Sequence, residues 1–234
     1  MNMLETIKLS NILFLDVETV PLVYNYKDLS KENKLLWDSK FRYQSSEKPE
    51  ETYKKAGIFA EFAKVICISV GFFNDGTFRI KSFYSRNEKT LLEEFTELLN
   101  KHFNRKESLL CAHNGKEFDF PFLCRRMLIN GVKLPKTLNL AGKKPWEVQH
   151  LDTMELWKFG DYKNFTSLNL LAAVFNIPTP KDDIDGSQVS KVYYEEKDIK
   201  RIVTYCQKDV ITVAQILLRY RGEPLIENKN IVYI

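Results

Sequence analysis

The chain has 234 residues, 44% of them hydrophobic and 28% charged, with 35 basic against 31 acidic side chains and a formal net charge of +4. That balance excludes a disordered, collagen-like or disulfide-scaffold chain, and no apolar run approaches the length of a bilayer span. The small basic excess permits a nucleic-acid partner but does not argue for one.

The first strong element is Ile12-Leu13-Phe14-Leu15, which runs straight into Asp16-Val17-Glu18-Thr19. The run predicts a central, buried β-strand. Side chains at i and i+2 share one face of a strand, so Asp16 and Glu18 project together at its end. Two carboxylates side by side in a low dielectric stay ionised only when something cationic joins them. Oxygen ligands of this kind suit Mg²⁺ or Mn²⁺. The plain alternative is a pair of solvated acids just past the strand.

Pro21 breaks the strand pattern, and residues 24–57 are polar, aromatic and charge-rich. Leu35, Leu36, Trp37, Phe41 and Tyr43 need burial, which predicts an insertion of one or two helices in place of a linker. Ser46 or Glu47, ahead of Pro49, is placed to open the second helix.

Val65 to Phe73 is the next strand, Asn74-Asp75-Gly76 a hairpin turn, and Thr77 to Tyr84 the returning strand. Asn87 caps a helix reaching His102, with Leu91, Leu92, Phe95, Leu98 and Leu99 at helical spacing. Leu109 to Ala112 is a short buried strand leading through His113-Asn114-Gly115 into a helix that Gly131 terminates. Residues 133–148 form a loop, and Gln149 to Thr153 a short strand. Ser167 to Phe175 is a helix stopped before Pro178, and 179–187 a polar turn region. Val189 to Tyr220 reads as one long helix ended by Gly222-Glu223-Pro224. The order predicts an α/β fold with a mixed sheet and helices on its faces. The whole of 1–234 is expected to form one domain, with a mainly helical insertion at about 24–60.

Cys67, Cys111, Cys124 and Cys206 are widely spaced in apolar segments, with no CxxC pair or Cys/His cluster. The spacing argues for buried free thiols in a reducing compartment and against a zinc site. The N-terminus lacks a secretory leader pattern, so a soluble cytoplasmic protein is expected.

Three further side chains answer Asp16 and Glu18. Asp119 follows a strand and a turn at the mouth of a helix, where an ordinary N-cap role competes with a functional one. Tyr205 and Asp209 lie four residues apart on one helix face; a core aromatic and a surface acid are their plain readings. The three stretches Phe-Leu-Asp-Val-Glu-Thr, Ala-His-Asn-Gly-Lys-Glu-Phe-Asp and Tyr-Cys-Gln-Lys-Asp occur in that order, on strand, loop-helix and helix. Together they resemble the three exonuclease motifs of the DEDD superfamily, in its DEDDy branch. The chain is most similar there to the proofreading exonuclease domain of family B DNA polymerases, as a stand-alone exonuclease.

The resemblance spans residues 12 to about 213. It implies a ribonuclease H-like fold with a mixed five- to six-stranded central sheet flanked by helices. It implies a metal-dependent 3′–5′ exonuclease acting on single-stranded DNA with a free 3′ end. Asp16, Glu18, Asp119 and Asp209 match the carboxylates that hold two divalent cations, Mg²⁺ or Mn²⁺, and Tyr205 the tyrosine that orients the attacking water. Asn114 and Phe118 match family positions in the second motif and are candidates to line the groove, with Phe118 either stacking on a base or only packing in the core. Thr19, which follows the first acids, is a candidate to contact the terminal nucleotide through its backbone. An exoribonuclease is the alternative within enzymes, and a weakly active nucleic-acid-binding subunit of a replication or repair assembly the alternative outside them. Asp152, outside the motifs, reads as structural. Arg125, Arg126, Lys143, Lys144, Lys197 and Arg201 are candidate phosphate contacts or a solvated face.

Overall fold

The computed structural model describes residues 3–43, 45–161, 163, 165–178 and 184–234. Strand β1 (Ile12–Pro21) is followed by helices α1 (Lys31–Phe41) and α2 (Pro49–Tyr53), then the hairpin β2 (Ala63–Asn74) and β3 (Thr77–Tyr84). Next come α3 (Glu88–His102), β4 (Leu109–Ala112), α4 (Asp119–Ile129), β5 (Leu151–Asp152) and α5 (Thr153–Lys158). The chain ends through α6 (Leu168–Val174), α7 (Val189–Lys191), α8 (Ile199–Arg221) and β6 (Ile231–Tyr233). The strands make one mixed six-stranded sheet in the order β5-β4-β1-β2-β3-β6, flanked by helices. The α/β expectation holds.

β1 is central because it is apolar on both faces. Leu13, Leu15 and Val17 pack with Leu91 and Phe95 of α3 and Leu123 of α4. Ile12 and Phe14 pack on the opposite face with Val210, Val213 and Leu217 of α8. By the two-residue strand period, Asp16 and Glu18 continue the face that carries α8. α8 lies close on that face: a Cβ at Gly71 would stand 2.8 Å from a Val210 methyl and 2.3 Å from the Phe78 ring. β1 pairs antiparallel with β2 along its length, Asp16 opposite Ser69 and Glu18 opposite Cys67, with a bulge between Glu18 and Thr19. Its parallel pairing with β4 covers only Ile12 to Phe14. β4 therefore parts from β1 just before Asp16, and that side of β1 opens where the acids begin.

Three departures from the sequence reading have physical causes. The predicted helix over 189–220 is broken. A π-type stretch at Val192–Glu196 follows α7, and Lys197 adopts a left-handed conformation (φ 58°). Asp198 then restarts the helix by accepting the Arg201 N–H at 3.1 Å. The break lets Tyr194 reach β1, where its hydroxyl donates to the Pro21 carbonyl and its ring stacks on Tyr24 at 5.0 Å. The second departure is in α1. Trp37 is fully buried amid Phe41, Tyr53, Phe59 and Phe62, and its indole N–H donates to Thr52 Oγ1 at 2.9 Å. Leu35, Leu36 and Tyr43, expected inside, are 71%, 54% and 92% exposed. A single short helix offers one inward face, and Trp37 occupies it. The third is that α5 and β6 are additional elements, β6 pairing parallel with β3. Of the polar turn region at 179–187, residues 179–183 lie outside the described residues. No helix among the described residues is long and apolar enough to cross a membrane.

Buried His150 ties the end of the 133–148 loop to β4. Leu110 N–H donates to its Nδ1 at 3.2 Å, and its Nε2–H donates to the Thr137 carbonyl at 2.9 Å. A proton on Nδ1 would face the Leu110 N–H, and burial pushes the imidazole pKa from 6.5 down to about 4. Between those values the unfolded chain binds more protons than the folded one, so stability falls as pH drops through that window. The stability advantage of wild type over His150→Gln is expected to shrink by about 2 kcal/mol between pH 7.5 and pH 5 in urea unfolding. Parallel stability curves for the two proteins would show that His150 is not held neutral.

Candidate active site

β1 brings Asp16 and Glu18 to the open end of the sheet, and α8 crosses beneath them. One carboxylate oxygen of each and Cys206 Sγ of α8 lie within 4.8 Å of one another. Cys206 donates its S–H to the Asp16 backbone carbonyl at 3.4 Å. One carboxylate oxygen of Asp16, Oδ2, is enclosed and has no hydrogen-bond partner. Burial, then the charges of Asp209 and Asp119, push the Asp16 carboxyl well above the carboxylate range. Burial, then Asp16 and Asp209, do the same to Glu18, and no hydrogen bond offsets them.

Asp119 enters from the other side. It opens α4, is 3% exposed, and accepts hydrogen bonds from its own backbone N–H and that of Val17. Val17 sits in the part of β1 that β4 leaves unpaired, which is why a side chain can dock there. Burial is the largest cause pushing the Asp119 carboxyl up to about 7, with the charges of Asp152 and Asp209 adding to it. Asp209, one helical turn beyond Tyr205 on α8, is hydrogen-bonded to the Tyr205 hydroxyl. Burial and then the charges of Asp209, Glu18 and Asp16 push that phenol far above its usual range, so it stays protonated and acts as a donor. Three elements thus place Asp16, Glu18, Asp119, Tyr205 and Asp209 in mutual electrostatic contact. Asp119 and Asp209 stand outside the tightest group of possible ligand atoms.

The candidate substrate residues are distributed as follows. The Thr19 hydroxyl donates to the Gly57 carbonyl at 2.7 Å, tying the end of β1 to the segment that follows α2. Asn114 adopts a left-handed conformation (φ 62°) and donates its backbone N–H to Asp152 Oδ1 at 2.9 Å. Half-buried Phe118 packs its ring 5.3 Å from Phe122. Asp152 is the organiser of this turn. Its carboxylate accepts the backbone N–H groups of Asn114, Lys116, Met154 and Glu155, capping α5 and fixing the loop that leads to Asp119. That agrees with a structural role. Arg126 is no phosphate contact: it is 4% exposed and paired with Glu88. Arg201 pairs with Glu196, and Lys144 lies over the Trp146 ring at 5.3 Å. A cleft of about 810 Å³ beside α4, floored by Phe120, Leu134 and Leu138, includes Asn114 but none of the four acids.

Like Cys67, which stands opposite Glu18 on β2, Cys206 is a neighbour of the acids that the sequence places only among plain core thiols. Its signal was its place three residues before Asp209, on the same helix face.

A family model described as a predicted 3′–5′ exonuclease related to the exonuclease domain of PolB matches residues 58–223. The match includes Asp119, Tyr205 and Asp209 and begins after β1. Among curated proteins, the chain is 21% identical over 162 residues to a DNA polymerase of Pyrococcus glycovorans, covering 59% of this chain and 20% of that one. Among solved structures, it is similar to the family B DNA polymerase from the hyperthermophilic archaeon Pyrobaculum calidifontis, with a TM-score of 0.53 and 14% identity over 89% of this chain and 24% of that one. At that identity the likeness shows the fold alone, the ribonuclease H-like α/β arrangement expected from the motifs. The chain spans a fifth of the curated relative's length and about a quarter of the solved polymerase.

Proposed function

Because the chain belongs to the family of predicted 3′–5′ exonucleases related to the exonuclease domain of PolB, we propose that it removes nucleotides from the free 3′ end of single-stranded DNA. In this reading Asp16, Glu18, Asp119 and Asp209 hold two divalent cations, Mg²⁺ or Mn²⁺. Such cations, when bound, lower the pKa of the attacking water and stabilise the leaving 3′ oxygen.

The observation that carries the reading is the enclosed, unpartnered Oδ2 of Asp16 among acids that raise one another's pKa. A buried carboxylate oxygen without a donor costs free energy that a cation recovers. The oxygen-rich donor set fits hard cations.

The chain's own groups divide the remaining work. Tyr205 keeps its proton and donates it as a hydrogen bond toward Asp209, orienting that carboxylate and the water beside it. Val17 N–H fixes Asp119. The turn carrying Asn114, held by Asp152, borders the path of the strand, and Phe118 and the Thr19 backbone flank the terminal nucleotide.

The test uses end-labelled single-stranded DNA and RNA with Mg²⁺ or Mn²⁺. A ladder shortening from the 3′ end is expected on DNA, blocked by a 3′ cap but not a 5′ cap and abolished by excess EDTA. Cleavage that persists in EDTA, or equal cutting of circular and linear strands, would sink the proposal. A ladder on RNA alone would reassign the substrate.

A further inference from the structure

We infer that Cys206 is a third donor beside Asp16 and Glu18, and that this trio is a binding site for a thiophilic divalent cation of the zinc class. The inference shares two acids with the proposed function but does not depend on the chain cleaving nucleic acid.

Three observations support it. The ligand atoms of the trio lie within 4.8 Å of one another. Bond lengths of about 2.3 Å to sulfur and 2.0–2.2 Å to oxygen put neighbouring donors of a tetrahedral zinc roughly 3.6 Å apart. A small side-chain closure therefore suffices. Next, the acids are short of partners: Asp16 Oδ2 is enclosed and unpaired, and Glu18 is 7% exposed with no hydrogen bond offsetting its burial. Finally, the sulfur is fixed in place. Cys206 is 0% exposed, anchored by α8, and its S–H points at the Asp16 carbonyl of the same strand that carries both acids.

The chemistry then separates two classes of ion. Mg²⁺ takes oxygen donors and gains nothing from a thiol, whereas Zn²⁺ and Co²⁺ bind thiolate strongly. On binding, the thiol proton leaves to buffer and the sulfur turns from the carbonyl to the ion. An ion held by sulfur and both acids would compete with Mg²⁺ or Mn²⁺ for Asp16 and Glu18, making the trio an inhibitory site. No spacing motif announces it, since the Cys206–Asp16 contact joins residues 190 positions apart.

The test is spectroscopic and uses untagged, metal-free protein. Titration with Co²⁺ is expected to raise a saturable thiolate-to-cobalt charge-transfer band in the near ultraviolet, which Zn²⁺ removes by displacement. Cys206→Ser should lose the band and bind Zn²⁺ at least 10–100-fold more weakly, the scale set by losing even an indirect support of a metal ligand. Its Mn²⁺ binding, read by electron paramagnetic resonance, should persist. Cys67→Ser should keep the band. A second measurement needs no variant: zinc-edge X-ray absorption of the one-to-one wild-type complex should show one sulfur ligand. No cobalt band in wild type, a band that survives Cys206→Ser, or a zinc shell of oxygen and nitrogen only would each overturn the inference. A protein with no nuclease activity leaves all these readouts unchanged, so the two readings fail separately.

Discussion

Asp209→Asn is expected to abolish exonuclease activity and, in the same protein, to raise the melting temperature measured in EDTA. The two effects share one cause. Asp209 is a leading charge pushing up the Asp16 carboxyl and acts on Glu18 and Asp119 as well. Removing its charge relieves that repulsion in the metal-free fold. The same change takes away a proposed cation ligand. A bound metal supplies several kcal/mol of transition-state stabilisation, so its loss corresponds to a rate decrease on the order of 10³-fold or more. Tyr205→Phe should behave differently. It keeps the ring and its packing and deletes only the hydroxyl bonded to Asp209. Losing one positioned hydrogen bond at a transition state lowers rate by roughly 10–1000-fold. Because the two side chains are partners, the double variant should be little worse than Asp209→Asn alone. Wild-type rate in Tyr205→Phe would remove the tyrosine from the mechanism. A lower melting temperature for Asp209→Asn in EDTA would show that the acids are not in conflict without metal.

What could be read from sequence follows from which interactions are local. β1 was legible because a short apolar run closed by Pro21 reads as a buried strand, and the i, i+2 rule then placed Asp16 and Glu18 on one face. The Tyr205–Asp209 pairing was legible because helix period alone sets it. The turn residues Asn74-Asp75-Gly76 and the C-terminal Gly131 were equally local signals; Gly131 adopts the left-handed φ of 67° that a helix end requires. Long-range contacts were not legible. Nothing in Arg126 distinguishes a surface cation from one buried against Glu88. The break before α8 depends on Tyr194 reaching Pro21, a contact between residues 173 positions apart. β6 exists only because the edge of β3 offers free pairing groups, and three residues carry too little pattern to announce that. Cys206 shows the same limit at the site itself. Helix period relates it to Tyr205 and Asp209, but the strand it touches lies at the opposite end of the chain.

Arg126→Met is expected to destabilise the fold by about 3–5 kcal/mol, the scale for leaving one member of a buried ion pair alone. Arg126 and Glu88 have side chains 4% and 8% exposed. Their bond is two-pronged: Arg126 Nε donates to Glu88 Oε1 at 2.8 Å, and one terminal guanidinium nitrogen donates to Oε2 at 2.5 Å. The other terminal nitrogen donates to the Ala60 carbonyl at 2.8 Å, and Glu88 also accepts from Val65 N–H and the Asn130 amide. One cluster therefore joins the first turn of α3, the last turn of α4, the start of β2 and the segment that follows α2. Methionine fills much of the volume of the arginine stem but supplies no donor. Glu88 would keep two neutral donors and no countercharge, while the Ala60 carbonyl would lose its partner. For a domain of this size the loss corresponds to a fall in melting temperature of roughly 6–20 °C. Adding Glu88→Leu to Arg126→Met should recover part of that loss, because two apolar side chains cost less in that space than one unpaired charge. A fall of only a degree or two in the single variant, or a double variant no more stable than the single, would show that water reaches the Glu88 carboxylate and that the pair is not what holds α4 to α3. Anchoring at Arg126 bears on the site as well, since α4 carries Asp119 at its other end. Below its melting temperature, the Arg126→Met protein should still bind Mn²⁺, because Asp119 is fixed locally by Val17 N–H and not by the distant ion pair.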